Sequence, residues 1–207
     1  MPASDKTLSM LLDPAISRDS NGLLINGNFA GQQEQTRFLA DLLYRIRPAK
    51  ILETGTLGGL FCYFALELLK KTAIFTFDID PHAQKAVDIL NEHYGNRIKF
   101  TLGDSKATLR ALGEPGIRFA WIDGGHDQKT CFYDLRNCSR LGIPHICVDD
   151  YKMCPGVRPA VRDFCGLGAY AVAGADDFKK DNRGIVYLRR QVKKNKTKGR
   201  QHGSGSV

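Results

Sequence analysis

Two short acidic runs carry most of the chemistry that this chain could perform. The first is Trp121-Ile122-Asp123-Gly124-Gly125-His126, and the second is Cys147-Val148-Asp149-Asp150-Tyr151. Each closes a strand-like apolar stretch, residues 119–122 and 145–148, and a helix-like stretch, residues 128–141, separates them. Sequential parallel strands of one sheet are the expectation, and if they are neighbours their ends lie about 5 Å apart. Asp123, Asp149 and Asp150 then converge on one small volume. Three carboxylates that close repel strongly unless a cation or protons intervene. Hard oxygen ligands suit Mg²⁺ or a similar divalent ion. His126 adds an imidazole, a group that can take a proton near neutral pH. Plainer roles are open to the same side chains: His126 as a polar anchor of its turn, Asp149 and Asp150 as caps.

A second constellation lies upstream. In Ile51-Leu52-Glu53-Thr54-Gly55-Thr56-Leu57-Gly58-Gly59 an apolar strand runs into an acid, a glycine-rich turn and then a long amphipathic segment. Glycine lets the backbone turn tightly and approach a ligand closely. The helix that follows aims free N–H groups and a positive dipole end at that ligand. Further acids sit where later strands should end: Asp78 and Asp80 after the second, Asp104 in Gly103-Asp104-Ser105 after the third. A carboxylate roughly 20 residues beyond such a turn suits ribose hydroxyls. The glycine spacing is not the dinucleotide fingerprint. A plain βαβ turn with Asp78 as a cap is the competing reading.

The elements that must position these groups alternate. Strand-like runs fall at residues 50–54, 73–79, 98–102, 119–122 and 145–148, and helix-like runs at 32–46, 60–70, 81–93, 105–112, 128–141 and 158–165. The apolar runs are short and continuous, as expected of strands covered on both faces. Strand–helix alternation implies right-handed βαβ units and a parallel sheet. The rhythm breaks at residues 169–172 and 184–188, two strand-like runs whose connection is too short and polar for a crossover helix. They are expected to be antiparallel neighbours at a sheet edge.

At 207 residues one domain is expected, spanning 1–190 with a leader at 1–30. The net charge of +8 is local: seven basic and no acidic residues lie from Arg189 onward, leaving 23 basic against 22 acidic elsewhere. Residues 191–207, rich in Lys, Gly and Ser, read as a disordered basic tail. No apolar run is long enough to span a bilayer, residues 1–21 lack the pattern of a secretory signal, and the six cysteines fit no zinc motif. A cytoplasmic protein with reduced thiols is the expectation.

Taken together, the motifs resemble the class I S-adenosylmethionine-dependent methyltransferases over roughly residues 32–189. That resemblance implies a Rossmann-like α/β three-layer sandwich with a seven-stranded, mostly parallel sheet of order 3-2-1-4-5-7-6, strand 7 antiparallel. It implies S-adenosylmethionine as cofactor, with Glu53 near the methionine part, Asp78 on the ribose hydroxyls and Asp104 or Ser105 toward the adenine. Gly55, Thr56, Gly59 and Asp123 complete the implied cofactor-binding set. The fuller family signature has a glycine where this chain has Leu57, a departure shared by metal-dependent catechol-type O-methyltransferases.

Asp123-Gly124-Gly125-His126, Asp149-Asp150-Tyr151 and Gly156-Val157-x-x-Ala160-Val161-x-x-Phe164 look most like the macrocin-type, sugar-modifying O-methyltransferases. In that group the position of His126 is the proposed base, and the acids matching Asp123, Asp149 and Asp150 hold Mg²⁺ or another divalent cation. The implied reaction is O-methylation of a small molecule with two neighbouring hydroxyls, such as a catechol or a sugar. Three alternatives stand beside it: a nucleic-acid methyltransferase anchored by the basic tail, a hydroxylase branch of the same core, and a non-catalytic S-adenosylmethionine-binding protein. Nucleic acid is the weaker partner, because the charge is confined to one end and no aromatic residues interleave with it. A homo-oligomer is an open possibility. Substrate-pocket segments are expected at residues 23–29, 151–157 and 173–183.

Overall fold

A computed structural model describes residues 33–175 and 183–191. The expected leader, most of the basic tail and the pocket segment 23–29 lie outside the described residues. The elements, in chain order, are α1 (Gln33–Ile46), β1 (Lys50–Thr54), α2 (Leu60–Leu68), β2 (Ala73–Asp78), α3 (Ala83–Tyr94), β3 (Ile98–Leu102) and α4 (Ser105–Ala111). They continue as β4 (Phe119–Ile122), α5 (Gln128–Arg140), β5 (His145–Val148), α6 (Val157–Gly166), β6 (Tyr170–Ala175) and β7 (Val186–Arg190). The seven strands form one sheet in the order β3-β2-β1-β4-β5-β7-β6. All neighbours are parallel except β7, which runs antiparallel to both β5 and β6.

Side-chain alternation divides the apolar residues between two cores. Ile51, Phe119, Trp121 and Cys147 face the layer of α1, α2 and α3, where Leu39, Leu43, Phe64 and Leu90 are buried. Leu52, Ala120, Ile122, Ile146 and Val148 face α4, α5 and α6, against Leu109, Leu135, Val161 and Phe164. Because each central strand packs on both faces, its residues are buried nearly throughout instead of alternating. The first layer is centred on Phe61, whose ring stacks on Trp121 at 5.1 Å and lies 6.3 Å from Phe119.

Helix boundaries follow local chemistry. Asp104 and Asp127 cap α4 and α5 by accepting from the backbone N–H of Lys106 and Thr130, each at 2.9 Å. Gly95, at φ 80°, ends α3 in the left-handed conformation.

Three expectations need correction. The strand at 98–102 is not covered on both faces: β3 is a sheet edge, only Ile98 is buried, and Lys99, Thr101 and Leu102 are exposed. The last strand starts at Val186, not 184, because the backbone just before it is used elsewhere. Gly184 and Arg183 carbonyls accept from the N–H groups of Tyr151 and Lys152, both at 2.8 Å, tying this segment to the loop after β5. Arg189 and Arg190, counted with the basic end, are β7 residues that pair with His145 and Tyr170.

Register places the site. Thr54, Ile122 and Val148 are level across β1, β4 and β5. The residues that follow, Gly55, Asp123 and Asp149, therefore leave the sheet side by side. Backbone bonds extend the ladder by one step: Asp123 N–H to Thr54 O and Asp149 N–H to Ile122 O, both 2.9 Å. The turn after β1 presses on the turn after β4 so closely that a Cβ on Gly55 would lie 2.1 Å from the Asp123 carbonyl oxygen, and Gly55 has φ +84°. Gly55→Ala combines overpacking with left-handed strain, for an expected loss of about 3 kcal/mol or more, read as a lowered midpoint in urea unfolding with an unchanged slope.

Candidate functional site

The carboxyl edge of the sheet opens into one cavity of about 530 Å³. Its wall includes Glu53, Gly55, Thr56, Asp78, Asp104, Ser105, Asp123, His126 and Asp149. The two constellations seen in the sequence thus share one space. Gly59 is not on that wall. It starts α2 at φ +74°, and a Cβ there would meet Leu90 Cδ1 at 3.0 Å, so its smallness serves packing against α3. Asp150 lies behind the wall, with its side chain 1% exposed.

Glu53 is fully buried at the end of β1. Its Oε2 accepts from Thr76 Oγ1 at 2.5 Å and Cys62 Sγ at 2.9 Å. Its Oε1 has no hydrogen-bond partner among the described residues. Burial pushes its pKa from 4.5 to about 7, against the lowering effect of the two hydrogen bonds. A buried acceptor with a spare oxygen on a cavity wall fits a cationic or N–H-bearing ligand group.

Asp78 holds the glycine-rich turn. Oδ2 accepts from the Leu57 N–H at 2.7 Å and Oδ1 from the Asp80 N–H at 2.9 Å. Leu57 itself sits at φ 44°, a left-handed conformation that glycine adopts without strain. Asp104 is largely committed to its cap and to Lys106 Nζ at 3.3 Å. The Ser105 hydroxyl donates to buried Asp134 at 2.7 Å, and burial raises the Asp134 pKa to about 6.

The acidic cluster is tight. One oxygen from each of Asp123, Asp149 and Asp150 falls within a group whose members all lie within 4.8 Å of one another. His126 Nε2 is 3.3 Å from Asp123 Oδ1 and 3.2 Å from Asp150 Oδ2. Burial raises the pKa of Asp149, and repulsion from Asp123 and Asp150 raises it further. Asp123 is also raised, chiefly by burial. The hydrogen bond to Asp123 raises His126 most, with all three carboxylates adding to it. A second candidate ligand set, His126, Asp150 and Cys154, shares Asp150 with the first.

Residues 52–151 match the family profile of a methyltransferase domain. That match covers just under half of the chain, and the strand order is the one that the resemblance to class I S-adenosylmethionine-dependent methyltransferases implies. No curated protein matches the sequence at a significant level. Among solved structures, the fold is similar to TomG, an O-methyltransferase from Streptomyces achromogenes involved in tomaymycin synthesis and solved with SAM. That match has a TM-score of 0.61 and 19% identity over 93% of this chain and 92% of the other. An O-methyltransferase from Bacillus cereus in complex with SAH gives TM-score 0.59 and 18% identity, covering 91% and 92%. A ribosomal protein L11 methylase from Lactobacillus delbrueckii subsp. bulgaricus gives 0.59 and 14%, covering 87% and 84%. Neighbours that differ this much in acceptor share the fold, so the fold leaves the substrate open.

Two side chains of the candidate site were missed in the sequence. Gln35, on α1, donates from Nε2 to Asp149 Oδ1 at 2.8 Å, while its buried Oε1 has no partner among the described residues. Arg183, just before β7, grips Asp150. The only available signals were a polar residue on the buried face of α1 and the basic end of the expected pocket segment 173–183, of which 176–182 lie outside the described residues.

Glu53 gives a pH test with a definite sign. Between pH 4.5 and about 7 the folded domain keeps a proton that the unfolded chain releases, so stability from this group falls as pH rises through that window. Glu53→Gln should therefore gain on the wild type between about pH 5 and pH 8, by at most about 3 kcal/mol, in thermal melts of ligand-free protein.

Proposed function

We propose that this methyltransferase transfers the methyl group of S-adenosylmethionine to a hydroxyl of a small molecule, with a divalent cation held by Asp123, Asp149 and Asp150. The observation that carries the reading is the convergence of those three carboxylates beside His126, with Asp123 and Asp149 on the wall of the cavity that Glu53 and Asp78 also line. The donor set fits the ion: all three ligands are hard oxygens, and two of them are buried with their charge only partly offset. The cavity also fits the cofactor, because Glu53 Oε1 is a buried acceptor on its wall with no partner among the described residues.

When bound, the cofactor would supply an electrophilic methyl and the cation would acidify and orient a hydroxyl. In this reading Glu53 accepts from the methionine part, Asp78 from the ribose hydroxyls, and Asp104 and Ser105 face the adenine. His126 takes the proton of the attacking hydroxyl. Asp123 and Asp150 both approach its Nε2 and stabilise the imidazolium that results. Gln35 fixes one oxygen of Asp149 and leaves the other to the cation. A substrate with two neighbouring hydroxyls, catechol-like or sugar-like, suits such a centre because both oxygens can share one ion.

The reading predicts a clean separation of roles. His126→Ala should lower turnover by roughly 100-fold or more, the scale of one positioned base, while calorimetry shows S-adenosylhomocysteine affinity within about twofold of wild type. Turnover of a catechol acceptor should also vanish in EDTA and return with Mg²⁺. Full turnover in the variant would remove His126 from the reaction.

A further inference from the structure

The most buried carboxylate of the cluster already has a cation. Arg183 Nε donates to Asp150 Oδ1 at 2.7 Å and Nη2 to Oδ2 at 3.2 Å, a two-pronged grip. His126 Nε2 lies 3.2 Å from the same Oδ2. Both oxygens of Asp150 are therefore engaged. Asp150 is held at φ 54°, which aims its side chain into the cluster at some backbone cost. A divalent ion ligated by Asp150 would have to take an oxygen from the guanidinium and sit close to a like charge.

The anchoring of Arg183 suits an exchange. Its carbonyl oxygen accepts from Lys152 N–H at 2.8 Å and Met153 N–H at 3.3 Å, which pins the main chain to the loop after β5. Its side chain is 40% exposed and borders the cavity, so the guanidinium can leave Asp150 by side-chain rotation alone. We infer that Arg183 is the internal counter-cation of the acidic cluster and competes with the divalent ion for Asp150, so that metal entry releases Arg183 into the substrate side of the cavity. The inference rests on the metal-dependent reading above. It adds that the metal-free site is held together by a guanidinium, and that loading the ion presents a free positive group to the acceptor.

The test is Mn²⁺ binding by the purified full chain, followed by titration calorimetry and by the electron paramagnetic resonance of free Mn²⁺. Wild type is compared with Arg183→Ala, Arg183→Lys and Asp149→Asn, each checked for folding by circular dichroism. Removing the competitor should tighten Mn²⁺ binding by roughly tenfold or more, the equivalent of one charge-assisted hydrogen bond. The same variant should melt lower than wild type without metal and recover more of its melting temperature when Mn²⁺ is added. Lysine, a point charge without the fork, should fall between the two, and it decides the matter if Arg183→Ala does not fold. Equal Mn²⁺ affinity in wild type and the Arg183 variants, with Asp149→Asn weakened, would overturn the competition and leave the metal site standing. Weaker binding by folded Arg183→Ala overturns it too, since Arg183 would then support the ion. Absence of Mn²⁺ binding in every protein overturns both the metal-dependent reading and this inference.

Discussion

Like charges forced together at the ends of two adjacent strands are the constraint on which the site depends. The register of β4 and β5 leaves Asp123 and Asp149 no choice of neighbour, because both follow residues that are level in the sheet. In a buried setting their repulsion is poorly screened. Everything around them answers that repulsion. His126 stands between Asp123 and Asp150, Arg183 grips Asp150, and Gln35 donates to Asp149. Each comes from a different part of the chain, so the cluster binds the turn after β4, the loop after β5, the approach to β7 and helix α1 into one object. A cluster of this kind costs stability. Its place beside a cavity is what a functional role for the charges would require.

The fold was legible because its signals are local. Each central strand is a short, mostly apolar run with an acid at or just past its end. Residues 50–54, 98–102, 119–122 and 145–148 coincide with β1, β3, β4 and β5. The strand order came from the family resemblance, and the structure has that order. The errors arose where tertiary context overrides local pattern. Ile98-Lys99-Phe100 reads like the other strands, but β3 has no neighbour on one side. Gly184 reads as the start of a strand, but its carbonyl is already engaged by Tyr151.

The site was legible by halves for the same reason. Carboxylates at strand ends announce themselves through spacing. Their partners do not, because Gln35 and Asp149 are 114 residues apart and Arg183 and Asp150 are 33 apart, with no periodicity connecting them. Gly59 shows the converse: it shares the glycine-rich turn with Gly55, yet of the two only Gly55 lines the cavity. Leu57 sits between these cases. The family's usual glycine at that position has a physical reason here, since the backbone is left-handed at φ 44° and its N–H must reach Asp78. Leucine tolerates that conformation at some cost, and its side chain stays 63% exposed, so no packing repays it.

The stretch from Gly156 to Phe164 shows how the two halves of the chemistry are kept in step. A Cβ on Gly156 would lie 2.5 Å from the His126 carbonyl oxygen and 2.7 Å from the Gln128 backbone nitrogen. The start of α6 is therefore packed backbone-to-backbone on the turn that carries His126. Behind it Val157, Ala160, Val161 and Phe164 bury the face of α6 against the core below β5. The loop between, Asp149 to Gly156, is clamped from the other side by the approach to β7. His126 and the β5 acids thus cannot drift independently: a shift of α6 moves the turn of His126 and the loop of the carboxylates together. In the proposed reaction, proton acceptor and charge cluster need a fixed separation to act on one hydroxyl. A glycine at this contact, followed by apolar residues at helical spacing, is the cheapest way for a short sequence to impose that separation.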